Sequence, residues 1–151
     1  MGINNIPFSY MRLMSNGKIS TNTRDDGIIN DIFEFNFMSE KVEPTSKNYP
    51  IRSSVKHIPV KAGDNLLVYV MVKTSANYTG TAPRLILNSN SALGYKKTIL
   101  AEYNGPANTW IKLEGITTTN PTADGVAEVY VECSGEEGCG YININGWSTN
   151  L

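Results

Sequence analysis

The sequence predicts an all-β domain, a jelly-roll β-sandwich of two antiparallel sheets, and three observations carry that prediction. Apolar and polar side chains alternate with a period of two in segment after segment. Clusters of Gly, Pro, Asn, Asp and Ser separate those segments. No segment sustains the three-to-four-residue period of an amphipathic helix. At 151 residues the chain can bury one substantial core and is read as one domain.

The elements follow in chain order. Residues 1–20 show no clear period and are expected to form an irregular N-terminal arm, packed on the body or on a neighbour, with the sandwich over 21–151. A short turn is expected around Asp25 to Asp31. Asp31 to Met38, DIFEFNFM, puts Phe33, Phe35 and Phe37 on one face. Ile51 to Val60 is the next strand. Leu66 to Lys73 is apolar on both sides, with Leu66, Val68, Val70 and Val72 opposite Leu67, Tyr69 and Met71, so it is placed centrally. Arg84 to Asn88, Thr98 to Glu102 and Trp110 to Thr117 follow. In Val126 to Cys133, Ala127, Val129, Val131 and Cys133 face one way and Glu128, Tyr130 and Glu132 the other. In Tyr141 to Trp147, Ile142 and Ile144 face the core while Tyr141, Asn143, Asn145 and Trp147 point out.

The last two strands read as a terminal hairpin. Paired in that way, they gather Tyr130, Tyr141, Asn143, Asn145 and Trp147 on one sheet face, the candidate ligand-binding or interface surface. Aromatic faces suit sugar C–H groups and amides suit hydroxyls; interfaces between proteins are enriched in the same aromatics. Cys133 and Cys139 flank the loop SGEEG. Facing strand positions are about 4.5–5.5 Å apart, within disulfide range, so the pair is a candidate disulfide or two reduced thiols. Trp110, at the head of a strand beneath a turn, is expected in the core.

Charge and composition exclude several functions. With 18% charged residues and a net charge of -1, the chain has no basic excess to neutralise phosphates, which argues against nucleic acid as a partner. No polybasic segment or long apolar run points to a membrane, and the first residues lack the features of a signal peptide. His57 is the only histidine, with no serine in a nucleophile motif to serve it, so it is read as structural or surface. Asp25-Asp26 and Glu136-Glu137 are neighbours that point apart. Glu128 and Glu132 share a face about 13 Å apart, beyond the separation of a retaining carboxylate pair. No phosphate loop or zinc signature is present. The chain is read as a non-enzyme with no cofactor.

The succession of motifs has a family likeness. IPVKAGDNLLVYVMVKTS, RLILN, ANTWIKLEGI and GVAEVYVECSGEEGCGYININGW follow one another over Ile51 to Trp147. This order resembles the family-4/9-type carbohydrate-binding modules, within the galactose-binding-like jelly rolls. The resemblance implies the jelly-roll fold. Where that family often ends in a calcium-holding aspartate, Asn143 and Asn145 stand here, which disfavours a structural calcium. Domains of this kind occur on secreted hydrolases as glycan binders and in bacteriophage particles as non-catalytic parts. From the Asn/Thr/Ser-rich loops, the absence of a signal peptide and the arm, the expected role is a structural or interaction module of a virion, a phage capsid decoration, fibre or tail component. It would be assembled in the host cytoplasm against other virion proteins as part of an oligomer. The alternative is a carbohydrate-binding module that recognises glycans through the aromatic and asparagine face.

Overall fold

The computed structural model describes residues 4–5, 11–12, 17–22, 39–89, 97–116 and 124–149. The expected strand with Phe33, Phe35 and Phe37 and the turn near Asp25 to Asp31 lie outside the described residues. The strands are β1 (Asn4–Asn5), β2 (Met11–Arg12), β3 (Gly17–Asn22), β4 (Ser39–Pro44), β5 (Ile51–Arg52), β6 (Val55–Val60), β7 (Leu67–Thr74), β8 (Arg84–Ser89), β9 (Thr98–Glu102), β10 (Ile111–Ile116), β11 (Gly125–Cys133) and β12 (Ile142–Thr149).

They form two antiparallel sheets. The first has the order β10-β7-β12-β4-β3, with β1 also paired to β12. The second has the order β2-β6-β11-β8-β9, with β5 also paired to β11. The architecture is the sandwich expected. β7 is interior, as its two apolar faces require. The N-terminal residues contribute strands at the described positions: Asn4 faces Thr149, Met11 faces Lys56, and β3 runs the length of β4.

The core lies between the sheets. Val68, Val70 and Val72 of β7, Ile142 and Ile144 of β12, and Val42 of β4 meet Leu85 and Leu87 of β8, Ile58 and Val60 of β6, and Ala127, Val129 and Val131 of β11. These residues sit two apart on their strands, so one face of each strand is spent on burial. Pro59 falls on β6 where β2, which reaches only Lys56 and Val55, leaves the strand edge uncovered among the described residues. A proline's missing N–H costs nothing there.

The expected strand Ile51 to Val60 is broken by one extra residue. Between the pairs Glu132/Arg52 and Val129/Lys56, the β6 side counts four steps against three on β11. Ser53 fills the gap by exchanging bonds with Val131: Ser53 N donates to the carbonyl at 2.8 Å, and the Val131 N–H donates to Ser53 Oγ at 2.9 Å. The irregularity turns Ser54 towards β4, where its N–H donates to Glu40 Oε1 at 2.8 Å and its hydroxyl to Oε2. Glu40 and Lys56 are both buried, 4% and 2% exposed, and Lys56 Nζ lies 5.9 Å from the Trp147 ring centroid. Burial raises the Glu40 carboxyl above its usual range, with Ser54 and Lys56 opposing. Burial also lowers Lys56 to about 8, with Glu40 opposing.

Candidate functional site

The expected five-residue face is not assembled as the sequence suggested. β11 and β12 do not form a hairpin; they lie in opposite sheets, β11 between β6 and β8, β12 between β7 and β4. Tyr130 therefore faces outward from the second sheet, buried with Val55 and Ile86, its ring 4.9 Å from the Arg52 guanidinium. Trp147 is the second departure. The register of β12 against β7 shifts between Asn145, opposite Met71, and Ser148, opposite Tyr69, which inserts one residue. Gly146 occupies the shift with φ +69°, a left-handed conformation that glycine adopts freely. Asn145 Oδ1 accepts the Gly146 N–H at 2.7 Å. The added residue inverts the alternation, so Trp147 points into the core. A glycine inside a strand pattern is the sequence signal for such a bulge.

The same topology decides the cysteines. Cys133 ends β11 facing the core, and Cys139 lies in the connection that crosses to the other sheet. Both thiols are free and buried, so the candidate disulfide is not formed. Burial pushes the Cys133 thiol up to about 12 and raises Cys139 as well, which keeps both protonated and poorly nucleophilic at neutral pH.

Tyr141, Asn143 and Asn145 do share the outer face of the first sheet, and there they meet residues from neighbouring strands. Trp110 is one of them, and the expected core position is not where it lies. Ile111 and Leu113 face the core, so period two turns Trp110 outward, where it packs with Tyr69 on Met71. Its loop is tied down on both sides. The hydroxyl of the buried Tyr103 lies 2.7 Å from the Pro106 carbonyl and 2.6 Å from that of Thr109. Asn108, with φ 59°, donates its N–H to the Thr74 carbonyl at 3.0 Å. Tyr141 is held by a pair of bonds to Ser75: its carbonyl accepts the Ser75 N–H at 2.8 Å, and its own N–H donates to Ser75 Oγ at 3.1 Å.

Strand register arranges this face in rows. Lys73 stands opposite Asn143, and Asn143 opposite Lys41. The pair Ile111/Val72 continues to place Trp110 beside Lys73. One row thus runs Trp110, Lys73, Asn143, Lys41 across four strands. The next runs Lys112, Met71 and Asn145. Met71, Asn143 and Ser148 form a buried floor, while Tyr69, Trp110 and Tyr141 are half-buried above it. The Asn145 Nδ2 is buried with no hydrogen-bond partner among the described residues. Three lysines stand over the three rings: Lys41 Nζ is 4.3 Å from the Tyr141 centroid, Lys73 5.2 Å from Trp110, and Lys112 5.1 Å from Tyr69.

The remaining candidates are scattered. His57 Nε2 lies 3.3 Å from Glu128 Oε2, and Lys97 Nζ 3.1 Å from Glu132 Oε2, both on the outer face of the second sheet. Lys47 and Glu136, 3.5 Å apart, line a cleft of about 490 Å³ with Thr79, Gly80, Thr81 and Ser134 at one end of the sandwich. Tyr49 is exposed. Among the described residues no cluster of three or more His, Cys, Asp or Glu converges.

No protein-family model matches the chain, and no curated protein does. Solved structures do. The CBM22-1 and GH10 modules of Clostridium thermocellum endo-1,4-β-D-xylanase 10B, complexed with xylohexaose, match with TM-score 0.64 at 11% identity, over 99% of this chain and 28% of that one. The CBM22-2 xylan-binding domain of Paenibacillus barcinonensis Xyn10C matches with TM-score 0.61 at 11% identity, over 98% of this chain and 97% of that one. The enzymatically active domain of bacteriophage CBA120 tailspike protein 4 matches with TM-score 0.57 at 16% identity, over 99% of this chain and 19% of that one. This chain therefore spans less than a third of the two larger chains and nearly the whole of the xylan-binding domain. At these identities the likeness establishes the fold, a jelly-roll sandwich shared with carbohydrate-binding modules.

Proposed function

We propose that this chain is a non-catalytic glycan-binding module and that the outer face of the first sheet is its binding surface. One observation carries the reading: three half-buried aromatic rings, Tyr69, Trp110 and Tyr141, stand above a floor of Met71, Asn143 and Ser148, with the half-buried Asn145 beside them. Sugar rings present C–H faces that pack on aromatics and hydroxyls that exchange bonds with amides. The buried Nδ2 of Asn145 is a donor that a hydroxyl would satisfy. The fold's likeness to a xylan-binding domain of nearly equal extent supports the same use. The family-4/9-type kinship read from the motifs remains part of this proposal.

The test is a glycan array followed by titration calorimetry on the best polysaccharide. Trp110→Ala should weaken binding about tenfold, a loss of roughly 1.4 kcal/mol. Tyr130→Ala, on the opposite sheet, should leave the affinity within about twofold. Absence of binding to every glycan would sink the function; binding that survives Trp110→Ala would sink the site.

A second reading, a component of a phage particle that meets neighbouring virion proteins, is favoured by the likeness to the tailspike chain. It is compatible with the first, because a virion module can itself hold a glycan. Immunogold labelling of purified particles would test it, and label confined to non-particulate fractions would count against it.

A further inference from the structure

The aromatic face carries a pattern that a neutral sugar does not require. Each of its three rings has an ammonium group over it, and each lysine comes from a different strand: Lys41 from β4, Lys73 from β7 and Lys112 from β10. Cations over aromatic faces are attracted by the ring quadrupole, which holds a flexible lysine head near one place. A sugar packing beside these rings would meet a positive charge at each contact.

Two of the lysines already hold carboxylates. Lys41 Nζ lies 3.1 Å from Glu43 Oε1 and Lys112 Nζ 3.5 Å from Glu114 Oε2. Each ammonium can therefore remain over its ring and contact a carboxylate at once. These ion pairs are partly exposed, and exposed pairs add little stability, so exchanging the protein's carboxylate for a ligand's costs little. Among the described outward side chains of β4, β7, β10 and β12, the cations are Lys41, Lys73 and Lys112 and the anions Glu43 and Glu114. Lys73 and Lys41 are separated only by Asn143, two strand spacings or roughly 10 Å, so a ligand lying across the strands passes one ammonium and then the next.

We propose that this face recognises an acidic polysaccharide, whose uronate carboxylates pair with Lys41, Lys73 and Lys112 while its sugar rings pack beside Tyr141, Trp110 and Tyr69. A uronic acid joins in one unit the two chemistries that the face repeats, an apolar C–H surface and a carboxylate. The inference rests on the glycan-binding reading and adds to it the charge of the ligand.

The test measures affinity by calorimetry and affinity electrophoresis for polygalacturonate, alginate and hyaluronate, each against its carboxyl-esterified form, with neutral xylan and β-glucan alongside. The inference expects at least one acidic polymer to bind about tenfold tighter than its ester at low salt, and that margin to shrink at high salt as the charges are screened. Lys73→Gln and Lys112→Gln should each reduce the margin, lowering affinity for the acid more than for the ester. Binding of esterified or neutral polymers without preference for any acidic one would overturn the inference and leave the glycan reading standing. Binding to none of the polymers would overturn both.

Discussion

Two tryptophans divide stability from binding at the level of single residues. Trp147, 8% exposed, belongs to the main core, whereas Trp110 lies half-buried on the outer face beside Tyr69 and Met71. Trp147→Ala should cost about 3 to 5 kcal/mol of unfolding free energy, measured by urea denaturation, whatever ligand is present. Trp110→Ala should cost less than that and act on affinity. The sequence suggested the reverse assignment. An unbroken alternation carried through Gly146 puts Trp147 outward, and a position beneath a turn puts Trp110 inward. For Trp110 the signal was at hand: with Ile111 and Leu113 inward, the same alternation puts it outside. For Trp147 the signal was Gly146 itself, whose φ of +69° lets the strand take in an extra residue. Gly146→Ala forces a β-carbon into that left-handed conformation and should destabilise the fold by about 1 to 2 kcal/mol. A denaturation midpoint equal to that of the parent would contradict the role given to the bulge.

At the level of elements, strands with an apolar face were legible and strands held by pairing alone were not. β7, β8, β10, β11 and β12 match the expected segments within a few residues, because each puts apolar side chains on one face, and β9 matches Thr98 to Glu102 through its apolar run Ile99 to Ala101. β4 reads SEKVEP, with one core aliphatic and a charged residue, Glu40, on the same inward side; no hydrophobic period marks it. Its place comes from backbone pairing with β12 and β3 and from the bonds between Glu40 and Ser54. The buried charges give a pH prediction. Because the folded Glu40 carboxyl is raised, its contribution is fully present below the unfolded value of 4.5 and is lost as pH rises through the folded one. Lys56, lowered from 10.5 to about 8, behaves oppositely: its contribution is present above 10.5 and lost as pH falls through about 8. Lys56→Met removes the cation that opposes the rise of the Glu40 carboxyl and should destabilise the fold wherever Glu40 is ionised. The loss should shrink on acidification as Glu40 takes up its proton. A loss that is constant with pH would show that Lys56 acts through packing and not through charge.

For the whole molecule, topology separates what the sequence placed together. Two strands adjacent in the chain, β11 and β12, sit in different sheets, so Tyr130 and the Tyr141–Asn143–Asn145 row look out from opposite sides of the sandwich. Sequence proximity suggested a hairpin because SGEEG resembles a hairpin loop; which sheet each strand joins depends on pairings with distant segments that no local pattern encodes. In exchange, the topology brings Trp110, Tyr69 and three lysines beside Tyr141, Asn143 and Asn145. Titrating the isotope-labelled protein with an oligosaccharide cut from the best-binding polysaccharide, followed by NMR chemical shifts, tests that surface most directly. The account predicts the largest shifts at the Trp110 indole N–H and at the side-chain amides of Asn143 and Asn145. Shifts gathered instead around Thr81 and Ser134 at the end of the sandwich, or around Tyr130 on the second sheet, would contradict it.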